Sequence, residues 1–319
     1  MALAWTVGLG LLAWLLQRLP WHDALAAMQR PEWHTWAWVL AALLFSYGLR
    51  GARLQVVLGL DDAPSTPASA PRRWLGLRLD ALRVILMHNA AVNLLPMRAG
   101  ELSFPWLAAR ELNMPLPRAV ACLVWMRVQD LIVLAWLGLL VWPGLPLWLR
   151  TVGVLGLLAA GGLLTWLSAQ ADRRDAAGAW WSRWQSALAE HAHHRPAAWA
   201  LTVANWVIKL AAGATLLSAI TGSAWLTAWA GALGGELAAV VPLQGPAGFG
   251  TYEAGVWAAM AWLSPPTDPA RDHAIVAALA LHACFLVCAT LAGLTAWLLR
   301  PAGAPTLSEA ARAAGPLSS

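Results

Sequence analysis

A chain of 319 residues that is 60% hydrophobic and only 12% charged carries about half the charged share of a soluble domain. That excludes an ordinary soluble enzyme, a disordered chain and a nucleic-acid-binding domain. The formal charge of +5, the pI of 9.8 and the mean hydropathy of +0.58 describe a polytopic membrane protein, whose basic excess suits cytoplasmic loops lying against anionic headgroups.

A bilayer-spanning helix needs roughly 20 mostly apolar residues, fewer where Arg or Trp anchors its ends. Met1–Leu16 has no positive n-region and no small-residue cleavage site, so it reads as a first membrane helix and not a signal peptide. On this ruler the sequence predicts an all-α polytopic membrane protein with about six full spans, near 2–18, 35–53, 118–141, 149–169, 197–219 and 273–299. Between the second and third spans, the 50–83 segment carries Arg50, Arg53, Arg72, Arg73, Arg78 and Arg83, with a flexible loop predicted over 61–73. An apolar stretch then runs from Val84 to Leu95, breaks at Pro96–Gly100 and resumes from Glu101 to Arg110. After the fourth span, residues 179–195 place Trp180, Trp184 and Leu188 on one face, which suits a helix lying in the interface. A second broken stretch runs from Trp225 to Val241, breaks across 242–250 and resumes from Thr251 to Leu263. Residues 1–300 are expected to form a single transmembrane domain and 301–319 a disordered cytoplasmic tail.

Arginine placement orients the set. The 50–83 and 169–197 segments and the tail are basic, whereas the connectors 141–148 and 221–225 carry no charge. With charged loops cytoplasmic, the N- and C-termini both lie inside. The first broken stretch is flanked by Arg83, Arg110 and Arg118, so it enters from and returns to the cytoplasm; the second does so from the outer side. Two Pro/Gly-broken re-entrant hairpins pointing in from opposite faces are the pattern of an inverted repeat, and they point to a transporter binding site. Non-helical backbone at membrane depth is tolerated only where protein buries it or water wets it, so a cavity is implied.

Ionisable side chains at bilayer depth are costly and are functional candidates by default. Here they are His88, Arg98, Glu101, Arg127, Asp130, Lys209, Glu236, Glu253 and His282. Asn89 and Asn93 are four apart and share the helix face leading into the first break. Arg98, in the break, offers a fork of donors to a phosphate or carboxylate. Glu101 sits where a half-helix begins and can cap free N–H groups. Equally, Arg98 and Glu101 pair to brace the break, and both readings stay open. In the second break Gln244, Tyr252 and two glutamates, Glu236 and Glu253, favour a lined cavity, with Thr251 as N-cap; a glycine-rich break made for close packing is the alternative. Arg127 and Asp130 are three apart and suit a local structural pair. Lys209, the only lysine, has no partner nearby in sequence and is expected to meet Glu236, Glu253 or a lipid phosphate. His282 reads as a packing residue before a proton relay. Cys122, Cys284 and Cys288 read as packing residues, His191, His193 and His194 do not converge as metal ligands, and neither a metal nor a cofactor is expected. No nucleotide-binding, nucleophile-elbow or zincin motif is present in the sequence.

The stretch NLLPMRAGELSFPWLAAR (93–110), followed by RVQDL (127–131), resembles the first signature of the lysylphosphatidylglycerol synthase transmembrane-region family, also called flippase-like. GPAGFGTYEAGV (245–256) resembles the second. The matching positions are Pro96, Arg98, Gly100, Glu101, Arg127, Asp130, Pro246, Gly248, Gly250 and Glu253, in an order and spacing that cover essentially the whole chain. Many members carry a second Arg soon after the Gly-Glu pair, where this chain has Ser103-Phe104-Pro105. The resemblance implies a multi-pass protein of the bacterial inner membrane, related to the lipid-flipping part of the multiple peptide resistance factors. The aminoacyl-transferase domain of the full synthases has no counterpart here, so synthesis of lysylphosphatidylglycerol is not expected. The expected function is a lipid flippase or transporter that moves a modified or lipid-linked amphiphile between leaflets. Arg98, Arg127 or Lys209 would take its phosphate, Asn89, Asn93, Gln244 and Tyr252 would line the headgroup path, and Glu101, Glu236 and Glu253 would balance the charge. The rival readings are an intramembrane enzyme on lipid-linked substrates, with Glu101 or Glu253 as base, and a non-transporting partner subunit. Expected partners are membrane lipids, with a lipid-modifying enzyme or glycosyltransferase as a further one, and no nucleic acid.

Overall fold

The computed structural model describes residues 21–59, 73–74, 76–142, 144–171, 195–240, 246–263 and 270–298. The expected span at 2–18, most of the 61–73 loop, nearly all of the interfacial helix at 179–195, Gln244 and the 301–319 tail lie outside them. The described residues form helices joined by short connectors, with one small hairpin of two residues per strand, β1 (Arg73–Trp74) with β2 (Leu77–Arg78). In chain order the helices are α1 (Trp21–Met28), α2 (Trp33–Val57), α3 (Leu79–Leu94), α4 (Ser103–Leu112), α5 (Leu116–Val141), α6 (Leu147–Ala171), α7 (Pro196–Thr221), α8 (Trp225–Ala238), α9 (Thr251–Leu263) and α10 (Ala270–Leu298).

Local sequence explains most boundaries. Pro117 and Pro196 sit in the first turns of α5 and α7, where a missing N–H costs nothing. Asn113 after α4 and Gly222 after α7 adopt the left-handed conformation that ends a helix. Among the described residues, three helices are long and apolar enough to cross a membrane: Leu116–Leu140, Pro196–Thr221 and His273–Leu298. The expected spans at 35–53 and 149–169 are helices, α2 and α6. One expectation is corrected: Arg50 and Arg53 do not belong to a charged loop, because the apolar run that follows them carries α2 on to Val57. The outer surface is apolar, as a lipid-facing surface must be; α6 alone exposes Leu147, Trp148, Val152, Leu155, Leu158 and Trp166.

Both broken stretches fold back on themselves as antiparallel helix pairs. In the first, Pro96–Leu102 forms a 3-10 turn between α3 and α4. Gly100 lies directly on the backbone of Ala91 and Val92, where any Cβ would overlap it. In the second, α8 and α9 cross on glycines: a Cβ at Gly234 would stand 2.5 Å from the Gly255 carbonyl oxygen. The half-helix expected from Glu101 starts two residues later, since the 3-10 turn runs through Leu102.

The element contacts come in matched sets. α2 packs on α3 as α7 packs on α8, and α4 on α5 as α9 on α10. α3 packs on α10 as α8 does on α5, and α2 packs on α7. The α2–α7 pair is antiparallel: Arg30 donates to the Ile220 carbonyl at 2.9 Å, Arg50 to Asn205 Oδ1 at 3.3 Å and Arg195 to the Val56 carbonyl at 3.5 Å. The two breaks touch each other, Pro96–Leu102 against Pro246–Gly248, at the centre of this arrangement.

Candidate functional site

Polar side chains from both hairpins and from α2, α5, α7 and α10 converge on one cavity of about 620 Å³ between the breaks. Much of its apolar lining comes from α5, at Leu123, Val128, Leu131 and Leu134. The polar lining is Arg50, Asn89, Asn93, Glu101, Lys209, Glu236 and Tyr252, together with Arg127 and Asp130 on α5 itself. Charge placed in so apolar a chain is tolerable only when paired or wetted, and the pairing can be followed residue by residue.

Asp130 is the hub at the α5 edge. It accepts from Arg53 Nη1 at 2.7 Å, from the Trp206 indole at 3.1 Å and from Arg127 Nη1 at 3.3 Å. Arg53 also donates to the Met126 carbonyl at 3.0 Å and to Gln129 Oε1 at 2.7 Å. The expected Arg127–Asp130 pair therefore exists, but Asp130's shorter bond goes to α2. Arg127 gives Nε and Nη2 to Glu101 Oε2 at 3.1 and 2.8 Å. Its Nη2 also lies 3.2 Å from His88 Nε2. A guanidinium only donates, so His88 accepts there and donates from Nδ1 to Ser103 Oγ at 3.0 Å. The Arg127 pairing ties the first break to α5.

Lys209 meets Glu236 at 2.8 Å, the first of the partners expected for it, and its ammonium lies over the Phe285 and Trp206 rings at 4.6 and 5.3 Å. Glu253 is buried behind the cavity wall. Its Oε2 accepts the Gly250 N–H at 2.7 Å, which makes Gly250, not Thr251, the N-cap of α9. Its Oε1 sits 2.7 Å from His282 Nδ1, which gives the buried His282 ring a partner, and His282 also lines the cavity. The His282 ring lies against Phe249 and Tyr252, at 4.7 and 5.0 Å between centroids. Asn93 donates to the Asn89 carbonyl at 2.7 Å.

Of the residues expected at the site, Asn89, Asn93, Glu101, Arg127, Asp130, Lys209, Glu236 and Tyr252 line the cavity, and Glu253 supports it from behind. The backbone of Arg98 lies in the 3-10 turn, while its side chain and the whole of Gln244 lie outside the described residues. Arg50, Arg53 and Trp206 escaped the sequence reading. The signal for the two arginines was present, since LQVVL follows them without a breaker; Trp206 is one Trp among 23 and carries no such signal.

Compared with known proteins, residues 1–293 match the family model described as the lysylphosphatidylglycerol synthase TM region. The chain belongs to that family, and it is a membrane protein. No curated protein and no solved structure matches it.

Proposed function

We propose that this protein is a lipid flippase or transporter that moves a modified or lipid-linked amphiphile between the leaflets of the bacterial inner membrane. The observation that carries the reading is the cavity itself, lined by charged and amide groups together with an apolar set from α5 and flanked by two broken hairpins. A headgroup suits the polar lining groups, and acyl chains suit the apolar α5 residues, of which Val124 and Leu131 are exposed. On this reading α2 and α6 count as spans beside the three long apolar helices, and the two broken stretches as re-entrant hairpins; the further span expected from sequence at 2–18 lies outside the described residues. The matched contacts and the antiparallel α2–α7 pair support an inverted repeat, because a two-fold axis that exchanges two antiparallel helices lies across them, in the membrane plane. Both termini then lie in the cytoplasm.

In the mechanism, Arg127 and Lys209 hold the headgroup through partial exchange of their carboxylate partners, Glu101, Asp130 and Glu236. The two touching breaks form the element that parts on one face and then the other. The test is lipid translocation in proteoliposomes that contain fluorescent phospholipids, read by quenching from outside. Wild-type protein is expected to move the label, and Arg98→Ala and Glu253→Ala to abolish movement while remaining folded. Wild-type rates in both variants would refute the reading, and chemical turnover of the lipid without movement would replace it with an intramembrane enzyme.

A further inference from the structure

We propose that Arg50, together with the Asn89 amide, is the anchor for a phosphate oxyanion carried by a glycerophospholipid headgroup. The inference rests on the flippase reading and names its ligand chemistry. Among the described residues lining the cavity, Arg127 and Lys209 each have a carboxylate within 3 Å. Arg50 has none. It gives Nε to Asn205 Oδ1 at 3.3 Å and Nη1 to Asn89 Oδ1 at 3.1 Å, both neutral amides. Its guanidinium also lies 5.7 Å from the centroid of the Trp206 ring. Asp130 and Glu236 act on Arg50 only from beyond contact, and each is already held directly by another cation, Asp130 by Arg53 and Arg127 and Glu236 by Lys209. A guanidinium bonded only to neutral amides at this depth favours an anion in contact with it.

A second observation points the same way. Asn89 is 4% exposed, and its Nδ2 is buried without any hydrogen-bond partner. The amide cannot flip to relieve this, because Oδ1 is held by Arg50. The wall therefore presents the remaining N–H groups of Arg50, on Nη1 and Nη2, beside an amide donor that lacks an acceptor. Donors in excess, one positive charge and apolar α5 residues lining the same cavity suit an oxyanion that accepts several hydrogen bonds and carries acyl chains. A phosphodiester meets all three conditions.

Bracing alone would also place Arg50 between α2, α3 and α7, so the test separates charge from bracing. Delipidated protein is titrated in native mass spectrometry with phosphatidylglycerol, with diacylglycerol of the same chains, and with inorganic phosphate as competitor. Wild type is expected to prefer phosphatidylglycerol by about tenfold or more, as charged hydrogen bonds imply. Arg50→Gln removes that preference and leaves diacylglycerol binding unchanged. Asn89→Asp covers the case in which Arg50→Gln folds poorly: it sets a carboxylate on Nη1, keeps the tie between α2 and α3, and expels the oxyanion with the same loss. Competition by inorganic phosphate assigns the site to the free ion; lack of competition assigns it to the lipid headgroup. Unchanged preference in Asn89→Asp, or equal binding of both lipids by wild type, overturns the proposal. Selective retention without translocation leaves the anchor standing and removes the flippase reading; translocation by protein that shows no phosphate preference does the reverse.

Discussion

Asp130→Asn isolates the brace that holds α2 to α5. The substitution keeps size and shape but withdraws the negative charge from Arg53, Arg127 and the Trp206 indole. Arg127 loses little, because Glu101 still holds it at 2.8 Å. Arg53 loses its only ion pair among the described residues, and its side chain is 5% exposed. Two neutral acceptors remain to it, and its Nε is already without a partner. Removing one member of a buried pair costs about 3–5 kcal/mol. At roughly 2 °C per kcal/mol for a large chain, the melting midpoint falls by about 6–10 °C. Melting followed by tryptophan fluorescence in detergent reads this directly. Arg53→Met alone is expected to cost less, because Asp130 keeps Arg127 and Trp206 while the orphan cation is gone. Arg53→Met placed on Asp130→Asn is expected to recover at least half of the loss. A midpoint within 2 °C of wild type for Asp130→Asn, or a larger loss for Arg53→Met than for Asp130→Asn, would refute the reasoning.

The hairpin crossings should be intolerant of size: Gly234→Leu drives a side chain into the Gly255 backbone and Ala259, so folded protein recovered in membranes is expected to fall severalfold, with Gly156→Leu, which meets nothing within 4 Å, as the control. Glu253→Gln keeps a polar cap on Gly250 but loses its charge, and a loss of about 1 kcal/mol in thermal unfolding is expected. Tyr252→Phe removes a buried hydroxyl that has no partner, so its melting midpoint should equal or exceed that of wild type; a clear drop would mean that the hydroxyl has a partner in the folded protein.

The elements that were legible in the sequence are those that answer to a single segment's composition. The α5, α7 and α10 spans follow from apolar length, and both hairpin breaks follow from Pro and Gly, which cannot hold a continuous helix. α9 begins at Thr251 and ends at Leu263, as read. The family signatures lie in the same breaks, because the residues that interrupt a helix are also the distinctive ones. Boundaries that depend on neighbours were not legible: from sequence Glu101 begins a half-helix, yet it falls in a 3-10 turn that Gly100 presses onto α3.

Sequence by itself determined that the chain is apolar and helical, that it is interrupted twice, and that a few ionisable groups lie at depth, since each follows from local propensity and transfer free energy. Only the tertiary structure decided which charges meet. Arg53 reaches Asp130 across 77 positions, Lys209 reaches Glu236 across 27, and Glu253 reaches His282 across 29. Only the fold could show that Arg50 is left with two amides and no carboxylate. Pairing is a property of helix packing, set by small residues at the crossings and by the close approach they allow. A side chain's type fixes its charge, whereas its counter-charge is fixed by whatever the packing brings within about 3 Å.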